Sequence, residues 1–143
     1  MAIRITFMRS VAVIALGALL AVATGLKKTE KVKRYGSVIQ VKADKLDYYK
    51  ELHANPWPAV NKAIKEANIR NYSIYLTQFD DEKWYLFAYF EYTGDDFDAD
   101  MEAMAEDSEV KRWWKETDPC QIGLDNRKEG DWWKGMEEVY HLD

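Results

Sequence analysis

Between residues 71 and 93 the chain carries two runs rich in aromatic and β-branched side chains, 71–78 and 83–93, separated by Asp80-Asp81. Runs of this composition joined by a short polar break read as a β-hairpin. Side chains alternate across a strand, so Trp84, Leu86, Ala88, Phe90 and Tyr92 share one face of the second run while Tyr85, Phe87, Tyr89 and Glu91 share the other. Both faces are apolar, and both therefore need cover. The chain's own helices can supply one cover. The other calls for a partner subunit or a bound ligand.

The flanking sequence supplies the rest of an α+β unit. Residues 35–41 form a first strand, and Asp44 is placed to cap a helix running from Lys45 to about His53. Pro56 and Pro58 end that helix by removing two amide donors in close succession. Val60, Ile64 and Ala67 then recur at the spacing of a buried helical stripe. Residues 95–117 are helical in composition, with a break at Asp107-Ser108 where Ser108 can cap a second segment. Residues 121–135 read as a loop and 136–142 as a last strand. The order β-α-β-β-α-β is the ferredoxin-like pattern, an α+β fold with an antiparallel sheet. In a chain of 143 residues this is one domain, over 35–143.

The N-terminus reads as an address. Residues 1–10 carry Arg4 and Arg9 and no acid, and an uncharged run of 11–23 follows, too short for a membrane span of about 20 residues. Ala21-Val22-Ala23 offers small residues where a signal peptidase reads, so cleavage after Ala23 is expected, with an uncleaved anchor as the alternative. Residues 24–34 make a basic linker, and the domain is expected outside the cytoplasm, either periplasmic or extracellular. Removing 1–23 takes away two arginines and no acid, moving the net charge from −5 to −7. That charge, and basic residues scattered among acids beyond the leader, argue against a nucleic-acid partner. One cysteine, Cys120, allows no internal disulfide, and two histidines with it make a poor zinc set, so no metal site is expected.

Six tryptophans and nine tyrosines exceed what a core of this size needs and suggest an interface, a sugar-binding surface, or both. Tyr49 and His53 stand four residues apart, on one face of the first helix, where phenol and imidazole can share a proton. A histidine exchanges protons near neutral pH and suits acid-base work. The bland reading of such a pair is structural, but Asn55-Pro56-Trp57-Pro58 turns the chain just past His53 and fixes it at a helix end. Trp57 itself reads as a core residue closing that corner. Arg112-Trp113-Trp114 sets two indoles about 100° apart on a helix, so they cannot both face one core stripe. One must meet something else, a sugar's C–H face or a second subunit. Trp132-Trp133 lacks periodic support, and surface or interface packing is the expected role.

The spacing Tyr49-x3-His53-x3-Trp57-Pro58, then Asn71-Tyr72-Ser73-Ile74-Tyr75-Leu76, then Arg112-Trp113-Trp114, and the closing Glu138-Val139-Tyr140-His141-Leu142 resembles the L-rhamnose mutarotase family over roughly residues 34–142. The resemblance implies a dimeric ferredoxin-like fold, a barrel-like assembly of two chains, with His53 as catalytic proton donor. It places sugar contacts on Tyr49, Tyr72, Trp113 and Trp114. No cofactor or metal is implied, and the partner small molecule is a monosaccharide whose α and β anomers are interconverted. The late loop with Trp132-Trp133 departs from the family's usual tail, as does the export signal from its cytosolic role. A sugar-binding module without catalysis competes with this reading, and a haem-binding relative with His53 as axial ligand competes less well.

Overall fold

A computed structural model describes residues 31–142, so the expected leader, its cleavage site and residues 24–30 of the basic linker lie outside the described residues. Strand β1 (Lys33–Val41) is followed by a 3-10 turn (Ala43–Lys45), helices α1 (Leu46–Ala54) and α2 (Pro58–Glu66), and strands β2 (Ile69–Gln78) and β3 (Trp84–Tyr92). Helices α3 (Phe97–Glu106) and α4 (Ser108–Thr117) lead to short strands β4 (Gln121–Ile122) and β5 (Lys134–Met136). The sheet is antiparallel throughout in the order β2-β3-β1-β4, with β5 pairing β1 further along the same edge. This is a ferredoxin-like α+β arrangement in which each helix position is filled by two consecutive helices.

The hairpin forms as its sequence demands. Leu86, Ala88 and Tyr92 point into the helix-covered face, where Ile39, Val41, Leu46, Tyr49, Leu86 and Cys120 make the main buried cluster. Tyr85, Phe87 and Tyr89 on the opposite face are only half-buried, and Tyr75 beside Phe87 is 65% exposed. Among the described residues, one apolar face of the sheet is covered and the second is left open. Tyr92 is buried and donates its hydroxyl to Asp100, tying β3 to α3. Gly94 makes room for this: a Cβ there would collide with the Tyr92 hydroxyl and the Asp100 carboxylate.

Three local expectations are corrected. Asp44 does not cap α1, because Ala43, Asp44 and Lys45 wind into a 3-10 turn whose backbone leads straight into the helix. Ser108 is already helical, and the cap of α4 is Asp107, whose carboxylate accepts from the amides of Glu109 (2.8 Å) and Val110 (3.0 Å). The last strand stops at Met136 instead of running to Leu142. Met136 lies opposite Gly36, so antiparallel pairing has only three residues of β1 left before that strand ends. Beyond that point Val139, Tyr140 and Leu142 are 76–88% exposed.

Candidate active site

The site is built where the end of α1 meets α4 and the inner face of β2. Helix α1 ends at Ala54, ahead of the two prolines, which leaves His53 in its last turn. The hydroxyl of Tyr48, one residue before Tyr49, donates to Glu116 of α4 at 2.6 Å and fixes the two helices against each other. Tyr49 is buried and its ring stacks on the His53 imidazole, with centroids 4.1 Å apart. Trp113 also meets that imidazole edge-on, at 5.2 Å. Trp57 closes the corner as expected, packed edge-on against Trp113 at 5.4 Å and under the Arg112 guanidinium at 5.0 Å.

His53 Nδ1 lies 2.9 Å from the backbone oxygen of Tyr49. A carbonyl can only accept, so Nδ1 carries the hydrogen and Nε2 of the neutral ring keeps its lone pair. Burial holds the imidazole below its ordinary pKa, and the hydrogen bond to Tyr49 opposes this only in part. The resting side chain at neutral pH is thus a neutral base with a fixed tautomer. The Tyr49 phenol is moved the opposite way: burial, with smaller help from the neighbouring Tyr72, lifts it far above the ordinary tyrosine range. It remains a hydrogen-bond donor and does not ionise as a base.

Tyr72 reaches the site through a β-bulge. The β2–β3 register shifts between Arg70 and Ser73, so that Asn71 and Tyr72 together oppose Phe90. Asn71 adopts φ 49°, a left-handed conformation that asparagine tolerates better than most residues. Tyr72 meets Phe90 edge-on at 5.7 Å, and although 44% of the residue is exposed, its phenol sits among the site residues, where burial raises its pKa. The paired indoles behave as their 100° offset requires: Trp113 is buried and Trp114 is 36% exposed.

These side chains line two adjoining clefts of about 390 and 270 Å3 that share His53, Tyr72, Ile74, Trp113 and Trp114. Tyr49 lines the smaller cleft, so all five residues marked in the sequence come together. That scale suits one small molecule. Other residues of the smaller cleft were missed. Thr117, Asp118 and Gln121 come from the end of α4 and from β4, and nothing in their local sequence marks them. The carboxyl of Asp118 at the rim is raised by partial burial. Trp132 and Trp133 also line it: Trp132, 42% exposed, keeps the expected surface position and donates its indole N–H to Gln121 at 2.7 Å, while Trp133 packs on the main core, which corrects the expectation for that residue. Cys120 is buried, with burial pushing its thiol up, and its Sγ–H is directed at the Glu116 carbonyl, in keeping with a thiol that has no chemical role.

Comparison with known proteins decides the family. A sequence model described as L-rhamnose mutarotase matches residues 34–142. The chain belongs to the L-rhamnose mutarotase family. It is 35% identical over 120 residues to the L-rhamnose mutarotase of Bacillus subtilis (strain 168), covering 78% of this chain and all of that one. It is also 35% identical over 113 residues to the L-rhamnose mutarotase of Ligilactobacillus salivarius (strain UCC118), covering 77% of this chain and 97% of that relative. In fold it matches the crystal structure of the L-rhamnose mutarotase FA22100 from Formosa agariphila, with a TM-score of 0.58 at 23% identity over 78% of this chain and 99% of that one. The family's members are carbohydrate isomerases, so the chain is placed among enzymes of that class.

Proposed function

We propose that the chain interconverts the α and β anomers of L-rhamnose or a related hexose, with His53 moving the protons. The observation that carries this reading is the hydrogen bond that fixes the tautomer of His53, which lines a cleft together with Trp113, Trp114, Tyr49 and Tyr72. In the forward step Nε2 takes the proton of the anomeric hydroxyl. The C1–O bond of the ring breaks as the C1 carbonyl forms, and the ring oxygen receives its proton from the imidazolium just made. Rotation about C1–C2 and the reverse sequence close the ring on the other face, returning His53 to its starting state. Tyr49 donates a hydrogen bond to a sugar oxygen, and the indole faces pack on C–H bonds and on the deoxy methyl group.

Acid-base assistance of this kind contributes ~10²–10⁴-fold to a reaction that already runs slowly in water. A freshly dissolved single anomer, followed by optical rotation, should relax at a rate proportional to the concentration of chain. Relaxation unchanged by any amount of chain, on L-rhamnose and on other common hexoses, would contradict the reading and leave a sugar-binding module as its successor.

Two further elements belong to the same proposal. The working unit is a homodimer formed over the open sheet face, supported by exposed Tyr75 and Phe79 there and by the exposed apolar side chains of Val139, Tyr140 and Leu142. The domain acts outside the cytoplasm, supported by the charged and apolar pattern of residues 1–23.

A further inference from the structure

The smaller cleft has two kinds of lining. Trp113, Trp114 and Tyr72 offer aromatic rings, while Thr117, Asp118 and Gln121 bring polar groups from the end of α4 and from β4. A sugar beside His53 needs both, because its C–H bonds pack on rings and its hydroxyls need hydrogen-bond partners. The Thr117 hydroxyl uses its hydrogen on the Trp113 carbonyl at 3.3 Å, and a carboxylate at Asp118 can only accept. Gln121 supplies the donor that these two lack. It is 6% exposed, and its backbone is held by pairing with Val41 of β1. The indole N–H of Trp132 can only donate, so the atom it meets at 2.7 Å is the amide oxygen of Gln121. Among the described residues this is the one hydrogen bond that the side chain completes, and its NH2 end is left to donate. A buried amide with one end unserved is costly until a partner arrives, and this one lines a cleft of small-molecule size.

Trp132 is itself held in place. It follows a loop braced by Arg127, whose Nε donates to the Asp131 carbonyl and Nη1 to the Leu124 carbonyl, both at 2.8 Å. The same guanidinium lies 6.0 Å from the Trp132 ring. A Cβ at Gly123 would meet its central carbon at 2.9 Å, so glycine there leaves the space that the brace occupies. Loop and indole thus fix which end of the Gln121 amide is free.

We propose that Gln121 is a sugar-binding residue whose NH2 donates to a hydroxyl of the bound hexose away from its anomeric carbon, and that Trp132 is the positioning residue that holds the amide in this orientation. The proposal rests on the mutarotase reading for its ligand class, a free hexose. His53 serves the anomeric and ring oxygens, which leaves the other ring hydroxyls to Gln121. A site that donates to a hydroxyl rejects the analogue lacking it, because its own polar group is then left unpaired. Gln121 therefore sets which hexoses are accepted, and His53 sets the rate of proton transfer.

The test titrates the full chain, by tryptophan fluorescence, with L-rhamnose and with the analogues that each lack one of its ring hydroxyls. To the native chain one analogue should bind about tenfold more weakly than L-rhamnose, the effect of one lost hydrogen bond. In Gln121→Met, which removes both ends of the amide at similar volume, the two should bind within about twofold of each other. Trp132→Phe, which keeps an aromatic ring and removes the N–H, should narrow the gap in the native background and change nothing further in Gln121→Met. Gln121→Glu keeps an oxygen for Trp132 and loses the donor, so it should abolish the gap while the Trp132 indole proton still exchanges slowly with water; a purely structural Gln121 would not separate these readouts. It also carries the test if Gln121→Met fails to fold. An equal gap in native and variant chains, as when the NH2 serves the Tyr49 phenol instead of a sugar, or no gap in the native chain, would overturn the proposal. A gap that depends on Gln121 in a chain that speeds no anomer exchange would sink the mutarotase reading and leave the proposal standing, and anomer exchange without the gap would do the reverse.

Discussion

At the residue scale the account turns on His53. Burial lowers its pKa, and the bond from Nδ1 to the Tyr49 carbonyl leaves the lone pair on Nε2. The proposed mechanism uses the neutral form, so kcat/KM should rise with pH through a value below the ordinary histidine figure of about 6.5 and level off above it. Initial rates across that range check this, and activity that only falls with rising pH would contradict it. His53→Gln should lower kcat by ~10²–10⁴-fold while leaving the fold intact. The pairing of Tyr49 with His53 was legible from their spacing alone, because i and i+4 always share a helix face. The tautomer was not, since it depends on a backbone oxygen one turn back. Gln121 and Trp132 could not be paired from sequence either: they are eleven residues apart across a loop whose course is set by Arg127.

Helix α4 shows how an element carries function. It bears Trp113 and Trp114, and its first turn is closed by Asp107, so the cap steadies the wall of the cleft. Asp107→Ala should cost about 1 kcal/mol of stability, measured by urea unfolding. In the sheet, Leu86 is buried in the main cluster between β1 and β2, and Leu86→Ala should cost roughly 2–5 kcal/mol by the same measurement. The helix break at Asp107-Ser108 was legible, but not which of two good capping residues would serve. The bulge at Asn71 was not legible, because alternation predicts a regular strand and only the pairing with β3 reveals the extra residue. Its consequence is functional, since the bulge is what brings Tyr72 to the site.

On the scale of the whole molecule, the apolar alternation of the hairpin foretold a sheet with two faces needing cover, and the described residues cover only one. The last strand was misjudged because composition favours strand over 136–142, while pairing within one chain runs out at the start of β1. In the proposed homodimer a second copy would cover the open face and the exposed Val139, Tyr140 and Leu142. Sedimentation velocity should show a dimer at micromolar concentration, and Tyr140→Asp should shift it toward monomer, because a carboxylate would be buried without a counter-charge. A native chain that sediments as a monomer at all concentrations would remove the dimer from the account.

The central claim is that this cleft opens and closes a sugar ring through His53. Saturation-transfer NMR on L-rhamnose, with the full chain at micromolar concentration, reads that step directly as magnetisation passing between the two anomeric protons. The account predicts that transfer quickens with the native chain and returns to the uncatalysed rate with His53→Ala. Equal transfer with and without the native chain, or undiminished transfer with His53→Ala, would contradict it.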